Sequence, residues 1–262
     1  MGFLNSVLTS ARERMGFAKQ IGEEEFKAQR RAARDPVTRS GVCYVPIQGF
    51  ESTRHYRDKQ NLHHLGRYEW AQRVLAGRSG RGSVLDCSCG SGYGSLKLAQ
   101  IFDRVDAVDQ FAEAIEMGRE RYDDQKINWH CVAAEKLRSV FGDASFDAVV
   151  SMQTIEFIED DQAFLDDLFA LLKPGGVLLI DTPIRKQRVE NPENPHHKRY
   201  YGIDEWLEML SSRFRISAFG QLPEADFLER CQMPSQGSIV FCEKVSADET
   251  GTQSELSGQH SA

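Results

Sequence analysis

The sequence has no paired cysteines. Its six lie scattered at positions 43, 87, 89, 131, 231 and 242, with no CxxC block; this argues against a disulfide scaffold or a structural zinc site and fits a reducing cytoplasm. No apolar run in the 262 residues approaches the roughly 18 that a membrane span needs. There is no short basic segment followed by an apolar core and a small-residue cleavage site, so secretion is not expected. Internal repeats are absent, and so is a basic excess. The net charge of -7 disfavours binding nucleic acid through global electrostatics. What is present is a globular balance, 40% hydrophobic and 27% charged, with length for one large α/β domain plus appendages.

Three zones are legible. Residues 1–45 form a charged, helix-prone extension in which Phe3, Leu4, Val7, Leu8, Ala11, Met15, Ala18 and Ile21 recur at three- and four-residue steps. Eight basic residues against five acids leave open peripheral contact with a membrane surface. The plainer reading is a helix packed on the main domain or on a second subunit, giving a homodimer. Met1 to Ser6 also formally fits a myristoylation pattern, with three free positions. Residues 246–262 hold Leu256 as their one large apolar residue and are expected to form a disordered tail.

Residues 46–245 alternate between strand and helix patterns. Strands are predicted over 83–86, 104–109, 127–132, 146–151 and 177–182, with helices over 94–102, 112–122 and 161–172. That alternation means parallel strands joined by crossovers, hence an open sheet with helices on both faces. Two later strands, 214–219 and 238–245, have no long helix between them and are expected to pair antiparallel.

The most informative segment runs from Val84 to Ser95, VLDCSCGSGYGS. Glycines after a buried strand let the backbone approach a ligand and expose amides at a helix start. A dinucleotide loop is disfavoured, because Ser95 stands where its third glycine belongs and Asp86 would repel a pyrophosphate. Asp86 would instead welcome an ammonium group, directly or through water. Asp109, 23 residues on, ends the second strand and can accept hydrogen bonds from both hydroxyls of a ribose. A ribose joined to a cationic, amino-acid-like end describes S-adenosylmethionine.

These residues resemble the class I S-adenosylmethionine-dependent methyltransferases. VLDCSCGSGYGS is similar to the family's first motif, VDAVDQF to its second, FDAVVSMQTIEFIED to its fourth and LKPGGVLLIDTP to its fifth. The likeness covers about residues 50–245. It implies a Rossmann-like, doubly wound, seven-stranded sheet, mostly parallel with an antiparallel final pair. NLHHLGRYEWAQRVL and NPHHKRYYGIDEWLEML further resemble a bacterial branch associated with glycan and polysaccharide modification.

The resemblance implies that the backbone of Cys87, Ser88, Cys89, Gly90 and Gly92 lines the methionine portion of the donor, with Asp86 near its ammonium. Asp109 then holds the ribose, with Gln110 and Phe111 beside the adenine and Ala134 and Glu135 at its edge. Ser151, Met152 and Gln153 border the sulfonium, and Tyr68 with Arg67 closes over that end. Three departures matter. Ser88 replaces a glycine, so an ordinary backbone conformation is expected there. Ala133 replaces an adenine-binding aspartate, and Phe157 replaces a histidine. The cysteines of the loop, with Cys131, are read as small packing residues rather than ligands, and Trp129, Met152 and Phe157 as core or pocket wall.

Methyl transfer from a sulfonium is an in-line displacement that asks the protein mainly for alignment. A hydroxyl acceptor adds the need for a base. His197, near Tyr200 and Tyr201 in the loop after the fifth strand, is the first candidate, with Glu156 as the alternative and His63 and His64 also in reach. Five basic residues (Arg185, Lys186, Arg188, Lys198, Arg199) against two acids between 184 and 201 suggest a mouth that attracts an anionic small molecule or glycan, joined by Arg54 and Arg57. The expected reaction is O-methylation of a sugar. Rival readings are a non-catalytic scaffold of the same fold and a nicotinamide oxidoreductase. Nucleic acid is not an expected partner, since Ser151 to Thr154 offer no stacking platform for a flipped base.

Overall fold

Short apolar runs cut by turn residues become strands here, and each helix contributes an apolar face to cover them. The computed structural model describes residues 66–77, 82–190, 192, 196–221, 227–229 and 238–245. All of them fall within the unit spanning 58–262. The extension over 1–45, the tail over 246–262, and Arg54, Arg57, His63 and His64 lie outside the described residues.

Helix α1 runs over 66–76. Then come β1 (Ser83–Cys87), α2 (Tyr93–Ala99), β2 (Arg104–Asp109), α3 (Ala112–Arg121) and β3 (Ile127–Cys131). A 3-10 turn at Ala134–Lys136 leads to α4 (Leu137–Phe141) and β4 (Phe146–Met152). A second such turn, Ile155–Phe157, precedes α5 (Asp161–Leu171) and β5 (Leu172–Thr182). Asp160 starts α5 by accepting the Ala163 N–H at 3.0 Å. Three short strands follow, β6 (Ile184–Arg185), β7 (Val189–Glu190) and β8 (Arg199–Gly202). The described chain closes with α6 (Ile203–Ser211), β9 (Arg215–Gln221), β10 (Phe227–Glu229) and β11 (Ser238–Glu243).

The main sheet has the order β10-β9-β11-β5-β4-β1-β2-β3. β1 to β5 pair in parallel, whereas β11 is antiparallel to both β5 and β9. The expected seven-stranded sheet is therefore present, extended at one edge by the three-residue β10. The order reverses between β1 and β4, and that switch point is where open α/β sheets bind ligands, beyond the carboxyl ends of their strands.

Two expectations need correction. The fifth strand, expected over 177–182, starts earlier, at Leu172, and takes in the Lys173-Pro174-Gly175-Gly176 stretch. A register shift between Phe146 and Ala148 absorbs it, and Gly175 N–H donates to Lys244 O at 3.0 Å while Lys244 N–H donates to Gly176 O at 2.9 Å. The stretch after β5 is also not a plain loop. It folds β8 between a parallel β6 and an antiparallel β7.

Strand alternation sorts the core into two layers. Leu85, Val149, Leu178, Ile180, Phe164 and Trp206 pack on one face of the sheet, Val84, Val150, Leu179, Leu98, Tyr68 and Trp70 on the other. The parity has a functional result. Asp86 shares its face with Val84, and Asp181 shares its face with Leu179, so both carboxylates project toward the layer that contains α1.

Candidate active site

The loop from β1 to α2 is a backbone cradle. Ser88 (φ 59°), Gly90 (φ 56°) and Gly92 (φ 82°) all take left-handed conformations. The ordinary backbone expected at Ser88 is thus wrong: alternating left-handed residues curl the loop, and the serine accepts strain that a glycine would avoid. The curl is pinned by Cys89 N–H donating to Val108 O at 2.9 Å and Gly92 N–H to Cys89 O at 3.0 Å. Its glycines also make room for rings. A Cβ on Gly92 would stand 2.1 Å from the Trp129 ring, and one on Gly94 2.2 Å from the Tyr68 ring. Trp129 and Tyr68 therefore buttress the cradle, and close approach by these rings, not only by a ligand, demands glycine.

Asp86 is completely buried. Tyr68 Oη donates to its Oδ1 at 2.8 Å and Ser95 Oγ to its Oδ2 at 2.6 Å. Burial pushes its carboxyl up to about 6 against the pull of these two hydroxyls. Ser95, which reads in the sequence as a failed glycine, is thus a partner of the motif's acid. Asp109, at the tip of β2, accepts the Gly90 N–H at 3.0 Å and the Phe111 N–H at 3.0 Å. It ties the cradle to the neighbouring strand, and burial raises its carboxyl above the usual range.

A third strand-end carboxylate escaped the sequence reading. Asp181, at the end of β5, is 1% exposed and meets Arg67 Nε of α1 at 2.9 Å. It also accepts the Gln153 backbone N–H at 2.9 Å and the Gln153 side-chain amide at 2.9 Å. Gln153 itself has φ 54°, a strained conformation that this double grip holds in place. The signal for Asp181 was available: LLID ends an apolar run with aspartate just as VLD and AVD do.

Adjacent residues of α1 thus reach two different strand ends, Arg67 to β5 and Tyr68 to β1. Of the other expected donor contacts, Cys87, Cys89, Ala134 and Met152 are buried around the cradle, and Gln110 and Glu135 are exposed. Burial, chiefly, pushes the Cys87 thiol up to about 12 and Cys89 well above its usual value, which keeps both as thiols, as packing residues require. Ser91 Oγ and Ser151 Oγ are buried with no hydrogen-bond partner among the described residues.

Glu156 and His197 stand beyond the other side of β4 and β5. Glu156 is 1% exposed; Thr182 Oγ1 donates to its Oε2 at 3.1 Å while its Oε1 has no partner among the described residues. Burial, reinforced by the Asp181 charge, pushes its carboxyl up to about 8. His197 packs edge-on to Phe157 at 4.6 Å between ring centroids and to Tyr200 at 5.2 Å. Its Nδ1 is buried without a partner among the described residues, and burial, with His196 and Arg185 nearby, lowers its basicity. Lys198 N–H donates to Glu156 O at 2.7 Å, binding the two segments together. Phe157, which stands in place of a histidine, supplies the wall for a different one.

The basic stretch is mostly self-neutralised. Arg188 pairs with Glu190 and Glu205. Arg199 meets Asp161 at 3.1 Å and donates to the Ile158 and Glu159 carbonyls. Lys198 meets Glu159 at 2.8 Å. Arg185 lies 4.3 Å over the Tyr200 ring and, like Lys186, has no ion pair among the described residues. The five-cation mouth therefore narrows to two cations without an ion pair among the described residues, Arg185 and Lys186.

Comparison with known proteins agrees with this geometry. Residues 85–180 match the methyltransferase domain family. A probable S-adenosylmethionine-dependent methyltransferase of Mycolicibacterium smegmatis is 34% identical over 149 residues, 56% of this chain and 56% of that protein. Phosphoethanolamine N-methyltransferase 1 of Arabidopsis thaliana is 26% identical over 216 residues, 82% of this chain and 39% of that protein. The chain thus spans about half the length, or less, of these relatives. Among solved structures, a Leishmania major S-adenosylmethionine-dependent methyltransferase superposes with a TM-score of 0.57 at 14% identity, covering 70% of this chain and 74% of that one. The N-methyltransferase NodS of Bradyrhizobium japonicum, in complex with S-adenosylhomocysteine, gives 0.52 at 15%, covering 70% and 87%. A curled glycine loop between strand-end carboxylates thus sits on a Rossmann-like methyltransferase fold, and residues 85–180 of it are similar to the methyltransferase domain family.

Proposed function

We propose that the protein transfers a methyl group from S-adenosylmethionine to a small-molecule or glycan acceptor, by O-methylation of a sugar. The observation that carries the donor half is the cradle itself, a left-handed loop hung between Asp86 and Asp109. The residues fit this donor. Asp109 keeps lone pairs beyond the two it gives to backbone amides, which suits ribose hydroxyls. The buried, unpartnered hydroxyls of Ser91 and Ser151 await polar partners of the kind a methionine end provides. Asp86 is sealed by Tyr68 and Ser95, so it serves the ammonium chiefly by shaping the loop. When bound, the donor supplies a methyl group on a sulfonium, whose departure leaves a neutral thioether, so no oxyanion hole is needed.

The residues of this chain then have to align an acceptor and remove its proton. Glu156 and His197 are the candidates for that work, and the exposed Arg185 and Lys186 would give an anionic acceptor a landing point. Calorimetry of the full chain with S-adenosylmethionine, S-adenosylhomocysteine and NAD tests the donor. Both sulfur ligands are expected to bind and NAD is not; Asp109→Ala should weaken S-adenosylhomocysteine at least about tenfold, the loss of one charge-assisted hydrogen bond. An unchanged dissociation constant in Asp109→Ala and Asp86→Asn removes the reading. Isotope-labelled methyl donor incubated with cell extract, followed by mass identification of the labelled product, identifies the acceptor.

A further inference from the structure

The end of β5 holds the chain that leaves β4. Asp181 and Thr182, the last two residues of β5, bond to Gln153 and Glu156 of the turn that follows β4. Asp181 has the larger share. Its Oδ1 accepts the Gln153 backbone N–H at 2.9 Å, its Oδ2 the Gln153 side-chain amide at 2.9 Å, and its backbone O the same N–H at 3.1 Å. Arg67 Nε holds the carboxylate in turn at 2.9 Å, and both partners are buried. A glutamine kept at φ 54° carries strain, and strain that the surroundings maintain points to a place where geometry has a use.

Location and polarity suggest that use. Ser151 is the register partner of Cys87, where the cradle begins, and Met152 is that of Asp181. Gln153 therefore stands where β4 leaves the sheet, at the switch point, with the cradle on one side and the end of β5 on the other. Its hydrogen-bond donors go to Asp181, whereas its Oε1 has no hydrogen-bond partner among the described residues. An ionised carboxylate only accepts, so it admits the nitrogen of the glutamine amide and rejects the oxygen. Asp181 thus fixes the sense of that amide. Arg67 balances the charge of Asp181, so what reaches the crevice is an oriented dipole.

We infer that Asp181 is a positioning residue that, through Gln153, tunes the site for the charged methyl donor over its neutral product. The assignment rests on the donor reading above and says how that site tells a sulfonium from a thioether. Held by its nitrogen, the Gln153 amide offers Oε1, the negative end of its dipole, to the ligand. A fixed dipole attracts a sulfonium far more than an uncharged thioether of nearly the same shape. The attraction belongs to the ground state, so it serves donor capture and product exchange rather than the transfer step. Once the methyl group has left, the charge has left with it and the hold on the ligand relaxes.

Calorimetry of the full-length protein, with S-adenosylmethionine and S-adenosylhomocysteine titrated separately, tests this. The amide of Asp181→Asn can pair with either end of the glutamine. In that variant S-adenosylmethionine is expected to bind about tenfold more weakly and S-adenosylhomocysteine less than about threefold. An equal loss for both ligands means that Asp181 only supports the fold and overturns the inference, as does no loss for either. Gln153→Gly adopts φ 54° without strain, so it keeps the turn while removing the amide, and it guards against a variant that fails to fold. It is expected to show the same uneven loss, and Asp181→Asn added to it should change the ratio of the two constants by less than about twofold. An undiminished effect of Asp181→Asn in the Gln153→Gly background assigns the discrimination to the carboxylate's own charge and overturns the role through Gln153. A wild type that binds neither ligand strikes the donor reading instead, so the two failures are distinguishable.

Discussion

At the scale of single residues, the cradle is held as much by rings as by hydrogen bonds. Trp129 fills the space over Gly92 and also that over Gly118, where an added Cβ would lie 2.4 Å from its ring. Gly118 sits in α3, where alanine would ordinarily stabilise by about 1 kcal/mol. Here Gly118→Ala is expected to destabilise by about 1–3 kcal/mol through overpacking, and the cost should shrink in a Trp129→Val background, where the Ser91 carbonyl oxygen, 3.1 Å from the added Cβ, remains the tight contact. Thermal denaturation of the double-mutant cycle reads this directly. The same scale shows what a sequence conceals. Asp86, Asp109 and the glycines announce themselves, because acids and glycines at strand ends have few uses. Asp181 carries the same strand-end signal, whereas Ser95 does not, because its worth lies in which side chain stands opposite. Ser88 misleads for a related reason: left-handed geometry is a property of the curled loop, and serine tolerates it here because the neighbouring amides are already bonded.

At the scale of elements, α1 is a clasp. Arg67 to Asp181 and Tyr68 to Asp86 join one turn of helix to two strand ends on either side of the switch point. Tyr68→Phe is expected to lose one hydrogen bond and leave Asp86 with Ser95 alone. The cost should be about 1–2 kcal/mol, with faster amide exchange in α1 and faster release of S-adenosylhomocysteine; unchanged exchange over 66–76 would exclude the clasp. A second element, β8, is fixed by Arg199, whose guanidinium is shared by Asp161 and two carbonyls. Arg199→Leu strands those groups and should cost about 3 kcal/mol, read by urea denaturation. Element order was legible in the sequence because hydrophobic period distinguishes helix from strand. The strap of β6, β7 and β8 was not, since pairs of two to four residues carry no period, and its cations read as a free charge run until their acidic partners were placed beside them.

At the scale of the whole molecule, carboxyls with raised pKa set an unusual pH dependence. Asp86 rises from an ordinary 3.8 to about 6 and Glu156 from 4.5 to about 8. Between the unfolded and folded values the native state holds more protons than the unfolded one, so the stability these groups contribute is full below the lower value and lost as pH rises to the higher. Unfolding between about pH 5 and pH 8 should release close to one proton from Glu156, a slope near 1.4 kcal/mol per pH unit, and Glu156→Gln should flatten it. Salt acts elsewhere. If the acceptor is anionic, its KM should rise with ionic strength and Arg185→Ala should blunt that rise; a salt-independent KM removes the anionic class. The clasp has one last consequence, in the order of synthesis. The partner that Arg67 needs is made more than a hundred residues after it, so while the chain leaves the ribosome the first described helix must wait for the fifth strand. A nascent chain halted near residue 160 should carry its early strands but leave α1 open to proteases, and only completion of β5 should shut it.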